Sequence, residues 1–169
     1  QDALHAAARF IIAVRDETTA MPGRQVATVG RIAAAPGAPN VIPGQTSLSL
    51  EIRDLDMEKI GKLFARLQER AEAIGRDTGT RFTFARFYES PAALTDTRIS
   101  ALIAASAREL GLDFAHLPSG AGHDAQSIAP LAPIGMIFVP SKDGISHAPT
   151  EFTSPQHITD GANVLLRTL

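Results

Sequence analysis

Three prolines and two glycines crowd the nine residues Pro36-Gly37-Ala38-Pro39-Asn40-Val41-Ile42-Pro43-Gly44, so no regular element survives there. The elements must form on either side of this break. Before it, Arg24 to Ala34 alternates loosely and predicts a strand. After it, Thr46 to Arg53 alternates cleanly. Leu48, Leu50 and Ile52 share one face, and Ser47, Ser49, Glu51 and Arg53 share the other. Asp56 then caps a helix whose apolar stripe is Met57, Ile60, Leu63, Phe64, Leu67, Ala71 and Ile74. Asp2 to Asp16 predicts an earlier helix, facing inward through Leu4, Ala7, Ala8, Ile11 and Ile12. Arg81 to Phe87 predicts a third strand with Phe82 and Phe84 on one face. Residues 1–89 read helix, strand, strand, helix, strand. Helices covering one face of an antiparallel sheet would bury this pattern, an α+β layer fold.

Ser90-Pro91 predicts a boundary, because the pattern changes after it. A helix from Thr97 to Leu110 is closed by Gly111, the residue type favoured just past a helix end. Ile134-Gly135-Met136-Ile137-Phe138-Val139 is a continuous apolar run, which predicts a strand buried on both faces of a parallel sheet. Ser154-Pro155 opens a last helix with Ile158, Ala162, Leu165, Leu166 and Leu169 as its buried face. Residues 90–169 are α/β in character but hold too few strands for a sheet of their own. Gln1 is not an initiator methionine, and the chain stops inside an amphipathic pattern. It reads as a piece of a longer polypeptide, with the missing strands elsewhere.

Composition narrows the partners. A net charge of −2 over 169 residues leaves no electrostatic footprint for nucleic acid or an anionic membrane. No apolar run approaches the roughly 18 residues that a membrane-spanning helix requires. The chain has no cysteine, which removes disulfides, thiolate zinc sites and cysteine nucleophiles together, and fits a reducing cytoplasm.

The five histidines carry most of the remaining chemistry. His5 and His157 lie on helices as surface residues, and His116 is ambiguous. His123 and His147 sit in loops flanking the apolar run, where ligands bind in open α/β sheets. The first loop is Pro118-Ser119-Gly120-Ala121-Gly122-His123-Asp124-Ala125. Its glycines let the backbone approach a ligand, and His123 can donate to a developing oxyanion. It is no phosphate loop, lacking the third glycine and the lysine. Ser119, His123 and Asp124 are too crowded for a serine triad, whose members are assembled in space. On pattern alone, a helix start capped by Asp124, with His123 facing water, weighs equally. In the second loop His147 is a rigidly placed metal-ligand type. One histidine is not a metal site, since zinc needs three or four ligands. Glu151 is either a partner for His147 or a solvated charge, and the pattern favours the latter.

Together these segments resemble a known family. Pro39 to Gly44, followed by a strand ending Glu51-Ile52-Arg53-Asp54, is similar to the lid domain of the N-carbamoyl-L-amino acid hydrolases. That family includes allantoate amidohydrolase and β-ureidopropionase, and is related to aminoacylases and zinc carboxypeptidases of the glutamate carboxypeptidase type. Leu117 to Asp124 and Met136 to His147 resemble two of its active-site segments. The resemblance implies a lid or dimerisation domain over residues 1–89, lacking its usual first strand. It implies that residues 90–169 are the C-terminal part of a zinc-exopeptidase-like α/β catalytic domain.

It also implies roles for single residues. His147 matches the terminal ligand of a two-metal centre, usually zinc, sometimes manganese, cobalt or nickel. His123 matches a histidine that steadies the tetrahedral intermediate and holds substrate. Asn40 and Arg53 match lid residues that bind the substrate carboxylate, in family dimers from across the interface. Arg53 suits this, because guanidinium is a bidentate carboxylate receptor. The implied reaction releases an amino acid, carbon dioxide and ammonia from an N-carbamoyl-L-amino acid. The implied partners are a small carboxylate substrate and a second copy, paired through the lid. The other metal ligands and the catalytic glutamate of the family have no counterpart here, so these 169 residues are expected to be inactive and to hold no stable metal pair. A rival of another class is a non-enzymatic, lid-derived dimerisation or binding module.

Overall fold

The computed structural model describes residues 1–169, which divide into two compact units, Gln1–Ala92 and Ala93–Leu169. Unit 1 contains α1 (Ala3–Ala20), β1 (Val26–Ala35), β2 (Gln45–Arg53) and α2 (Met57–Thr78). The two strands pair antiparallel, from Ala35 opposite Gln45 to Val26 opposite Arg53, with an irregularity between Val29 and Arg31. Gly30, which lacks a Cβ, occupies that slip.

Capping sets the helix starts. Asp2 accepts the backbone N–H of His5 at the head of α1, and Asp56 accepts those of Glu58 and Lys59 at the head of α2. The second helix ends on Gly79, in the left-handed conformation that glycine adopts without strain. The core joins Ala6, Phe10, Ala13 and Val14 of α1 to Leu63, Leu67, Ala71 and Ile74 of α2. Ala27, Val29, Leu48, Leu50 and Ile52 pack beneath this helix pair from the sheet.

Two expectations for unit 1 are corrected. The buried face of α1 is Ala6, Ala7, Phe10, Ala13 and Val14, whereas Leu4 and Ile12 are exposed. Both stripes satisfy helical spacing, but Phe10 is the bulkier anchor. Its ring meets Phe82 at 5.4 Å and Phe84 at 5.9 Å. The helix also runs on to Ala20, past Asp16, until the Met21-Pro22-Gly23 break. The second correction is at residues 81–87, which form no strand. The sheet has two strands, and a strand exists only where another pairs with it. The expected facing of Phe82 and Phe84 is nonetheless realised, because Phe84 also packs on Phe64 at 5.5 Å.

Unit 2 contains α3 (Thr97–Glu109), the short α4 (Ala125–Ile128), a 3-10 turn (Lys142–Gly144) and α5 (Pro155–Thr168). Asp96 caps α3 by accepting the N–H groups of Arg98 and Ile99, and Ser154 caps α5 by accepting that of His157. Residues 134–139 are not the doubly buried strand that their hydropathy predicts. Ile134 is buried, but Phe138 is 55% and Val139 38% exposed, and no strand pairs with the run. Its glycine fits close to α3: a Cβ on Gly135 would stand 2.3 Å from Ile99 Cγ2. The predicted buried face of α5 also fails. Val164 is buried, while Ile158, Leu165, Leu166 and Leu169 are exposed. In each case the apolar surface is present and the layer that would cover it is absent from the unit.

Candidate functional site

The loop ahead of α4 holds His123 by three contacts. Its Nε2 lies 2.8 Å from Ser119 Oγ, and its backbone N–H donates to Gln126 Oε1 at 3.2 Å. Its ring packs 5.8 Å from that of Phe138. Ser119 Oγ also accepts the backbone N–H of Ala121 at 3.2 Å, which tightens the turn through Gly120. His123 is half-buried rather than facing water. A short helix, α4, does start directly after Asp124, as the helix-start alternative expects, but Asp124 makes no side-chain cap bond to it.

His147 sits on a more strained backbone. Its φ is 58°, in the left-handed region that non-glycine residues rarely occupy. Asp143, at φ 57°, and Gly144, at φ 68°, turn the same segment. Glu151 Oε2 accepts the backbone N–H of His147 at 2.8 Å, and Glu151 N–H donates to Ala148 O at 2.9 Å. Glu151 is therefore a fastener of this loop, not a merely solvated charge. The i, i+4 spacing of both pairs, Ser119 with His123 and His147 with Glu151, was the available signal. It is easily passed over outside a helix.

In unit 1, Asn40 lies in the exposed turn of the 36–44 loop, where Val41 N–H donates to Ala38 O at 3.3 Å. Arg53 ends β2 and pairs with Glu51 at 2.9 Å, which holds its guanidinium even more firmly protonated. The loop joins the Ala35 and Gln45 end of the hairpin, and Arg53 lies opposite Val26 at the other. A strand advances about 3.3 Å per residue, so Gln45 and Arg53 are roughly 26 Å apart. Asn40 and Arg53 are not neighbours within one hairpin.

No three histidine, aspartate or glutamate side chains stand where they could share an ion. His147 is a single candidate donor, and the side chains of this chain do not by themselves fit a metal centre. No helix is long and apolar enough to cross a membrane.

The model of peptidase family M20/M25/M40 matches residues 4–169. The chain belongs to this family. Among M20 relatives, the N-carbamoyl-L-amino acid amidohydrolase of Geobacillus stearothermophilus is 37% identical over 169 residues, covering 100% of this chain and 41% of that protein. The allantoate amidohydrolase of Bacillus subtilis is 32% identical over 165 residues, covering 98% of this chain and 40% of that protein. The crystal structure of a hydantoinase/carbamoylase-family amidase from Burkholderia vietnamiensis superposes with a TM-score of 0.90 at 34% identity. That match covers 99% of this chain and 40% of the amidase. The chain spans about two fifths of the length of these M20 relatives.

Proposed function

We propose that this chain is part of a metal-dependent amidohydrolase that cleaves the linear amide bond of N-carbamoyl-L-amino acids. The observation that carries the reading is the 37% identity to an N-carbamoyl-L-amino acid amidohydrolase along the whole chain. Allantoate is the second reading, supported by the 32% identity to an allantoate amidohydrolase; β-ureidopropionate has the same chemistry, a ureido group carried by a carboxylate.

In this reading unit 1 is the lid and dimerisation domain, and unit 2 belongs to the catalytic domain. His147 is one ligand of the metal pair, whose other donors lie outside these 169 residues. His123 donates to the oxygen that gains charge as the carbonyl is attacked. Arg53 receives the substrate carboxylate, and Asn40 adds an amide donor. Because these two belong to opposite ends of one hairpin, the reading takes Arg53 from one protomer and Asn40 from its partner at a shared carboxylate. A homodimer through unit 1 provides that arrangement.

The test is turnover of N-carbamoyl-L-amino acids, allantoate and β-ureidopropionate by the protein extended to the length of its relatives. Release of the free amino acid and ammonia supports the first reading. Turnover of allantoate alone selects the second, and hydrolysis of none of the three contradicts the proposal.

A further inference from the structure

The two ring nitrogens of His123 have different surroundings. Nε2 is 2.8 Å from Ser119 Oγ, whereas Nδ1 has no hydrogen-bonding partner in the loop. A serine hydroxyl carries one proton and two lone pairs. One lone pair already receives Ala121 N–H. Donation of the hydroxyl proton to Nε2 would place the imidazole proton on Nδ1. The Phe138 ring and the Gln126 bond hold the imidazole and its backbone in place, so the serine completes a fixed orientation.

We infer that Ser119 is a positioning residue. By donating to Nε2 it selects the Nδ1–H tautomer of His123, and Nδ1–H is the donor presented to the substrate oxygen. Free imidazole side chains favour the opposite, Nε2–H, tautomer. The loop spends a serine four residues upstream to reverse that preference. The functional half of this inference rests on the reading of His123 as the oxyanion donor; the tautomer half does not.

The experiment is nitrogen NMR of the histidine-labelled 169-residue chain at neutral pH, with kinetics on the longer enzyme. Wild type and Ser119→Thr should both hold His123 as Nδ1–H, and Ser119→Ala should move it toward Nε2–H. In the enzyme, Ser119→Ala should lower kcat by about 2- to 10-fold, the range of one neutral hydrogen bond, with KM little changed. Ser119→Thr should restore the rate. A wild-type Nε2–H tautomer, or a tautomer unmoved by Ser119→Ala, overturns the inference. Normal turnover in His123→Ala removes the oxyanion role instead and leaves the tautomer result to be judged alone.

Discussion

Units 1 and 2 carry equally clear amphipathic signals and differ in what happens to them. In unit 1, α1 and α2 close on each other and on the sheet, and Leu63 and Leu67 are fully buried. In unit 2, α5 buries Val164 and leaves Leu166 75% exposed. Periodicity marks which face of an element is apolar. Whether that face is buried depends on a covering layer: in unit 1 the helix pair and the sheet supply it, whereas in unit 2 α5 packs on α3 and leaves Leu165 and Leu166 exposed.

The largest test of this contrast is truncation of matching leucines. Leu63→Ala should destabilise unit 1 by about 2–5 kcal/mol, the usual range for a buried leucine. Leu166→Ala should change the stability of the 169-residue chain by within about 0.5 kcal/mol. Denaturant melts of the two variants check both values. Equal losses would mean that α5 is covered after all.

Caps sharpen the comparison at a smaller scale. Asp56 accepts two backbone N–H groups, and Asp56→Ala should cost about 0.5–2 kcal/mol. Asp124 stands at the equivalent position of α4 without a cap bond, so Asp124→Ala should be close to neutral in the same melt.

The smallest effect is electrostatic. The Arg98 side chain, then the backbone N–H groups of Ile99 and Arg98, hold the Asp96 carboxyl below its ordinary range. A depressed carboxylate contributes stability above its unfolded pKa and loses it as pH falls through the folded one. Unit 2 should weaken through that acid window, and Asp96→Asn should flatten the dependence. An acid titration of α3 helicity reads both.

Much of unit 1 was legible because its signals are local. The alternation of β2, the Asp56 cap and the α2 stripe all depend on residues within a few positions of each other. Which face of α1 turns inward was not legible, because it is decided by Phe82 and Phe84, some seventy residues later. The strands expected at 81–87 and 134–139 needed partners, and no local pattern reports a partner. At the candidate site the loop histidines were visible as residue types in glycine-rich and proline-rich segments. Their fasteners, Ser119 and Glu151, became evident only as bonds of 2.8 Å.

The central functional claim is that the two ends of one hairpin serve different protomers. Mixing two impaired variants of the longer enzyme tests it most directly. Arg53→Ala removes a charge-assisted hydrogen bond, about 1.5–3 kcal/mol, or roughly a ten- to hundredfold loss in kcat/KM with folding intact. Asn40→Ala should also be impaired. Refolded together in equal amounts, half of the dimers pair one variant with the other. If Arg53 and Asn40 of one site come from different protomers, each mixed dimer regains one intact site, restoring about a quarter of wild-type turnover. No gain over the separate variants would contradict the account, because both residues would then reach the carboxylate from the same chain.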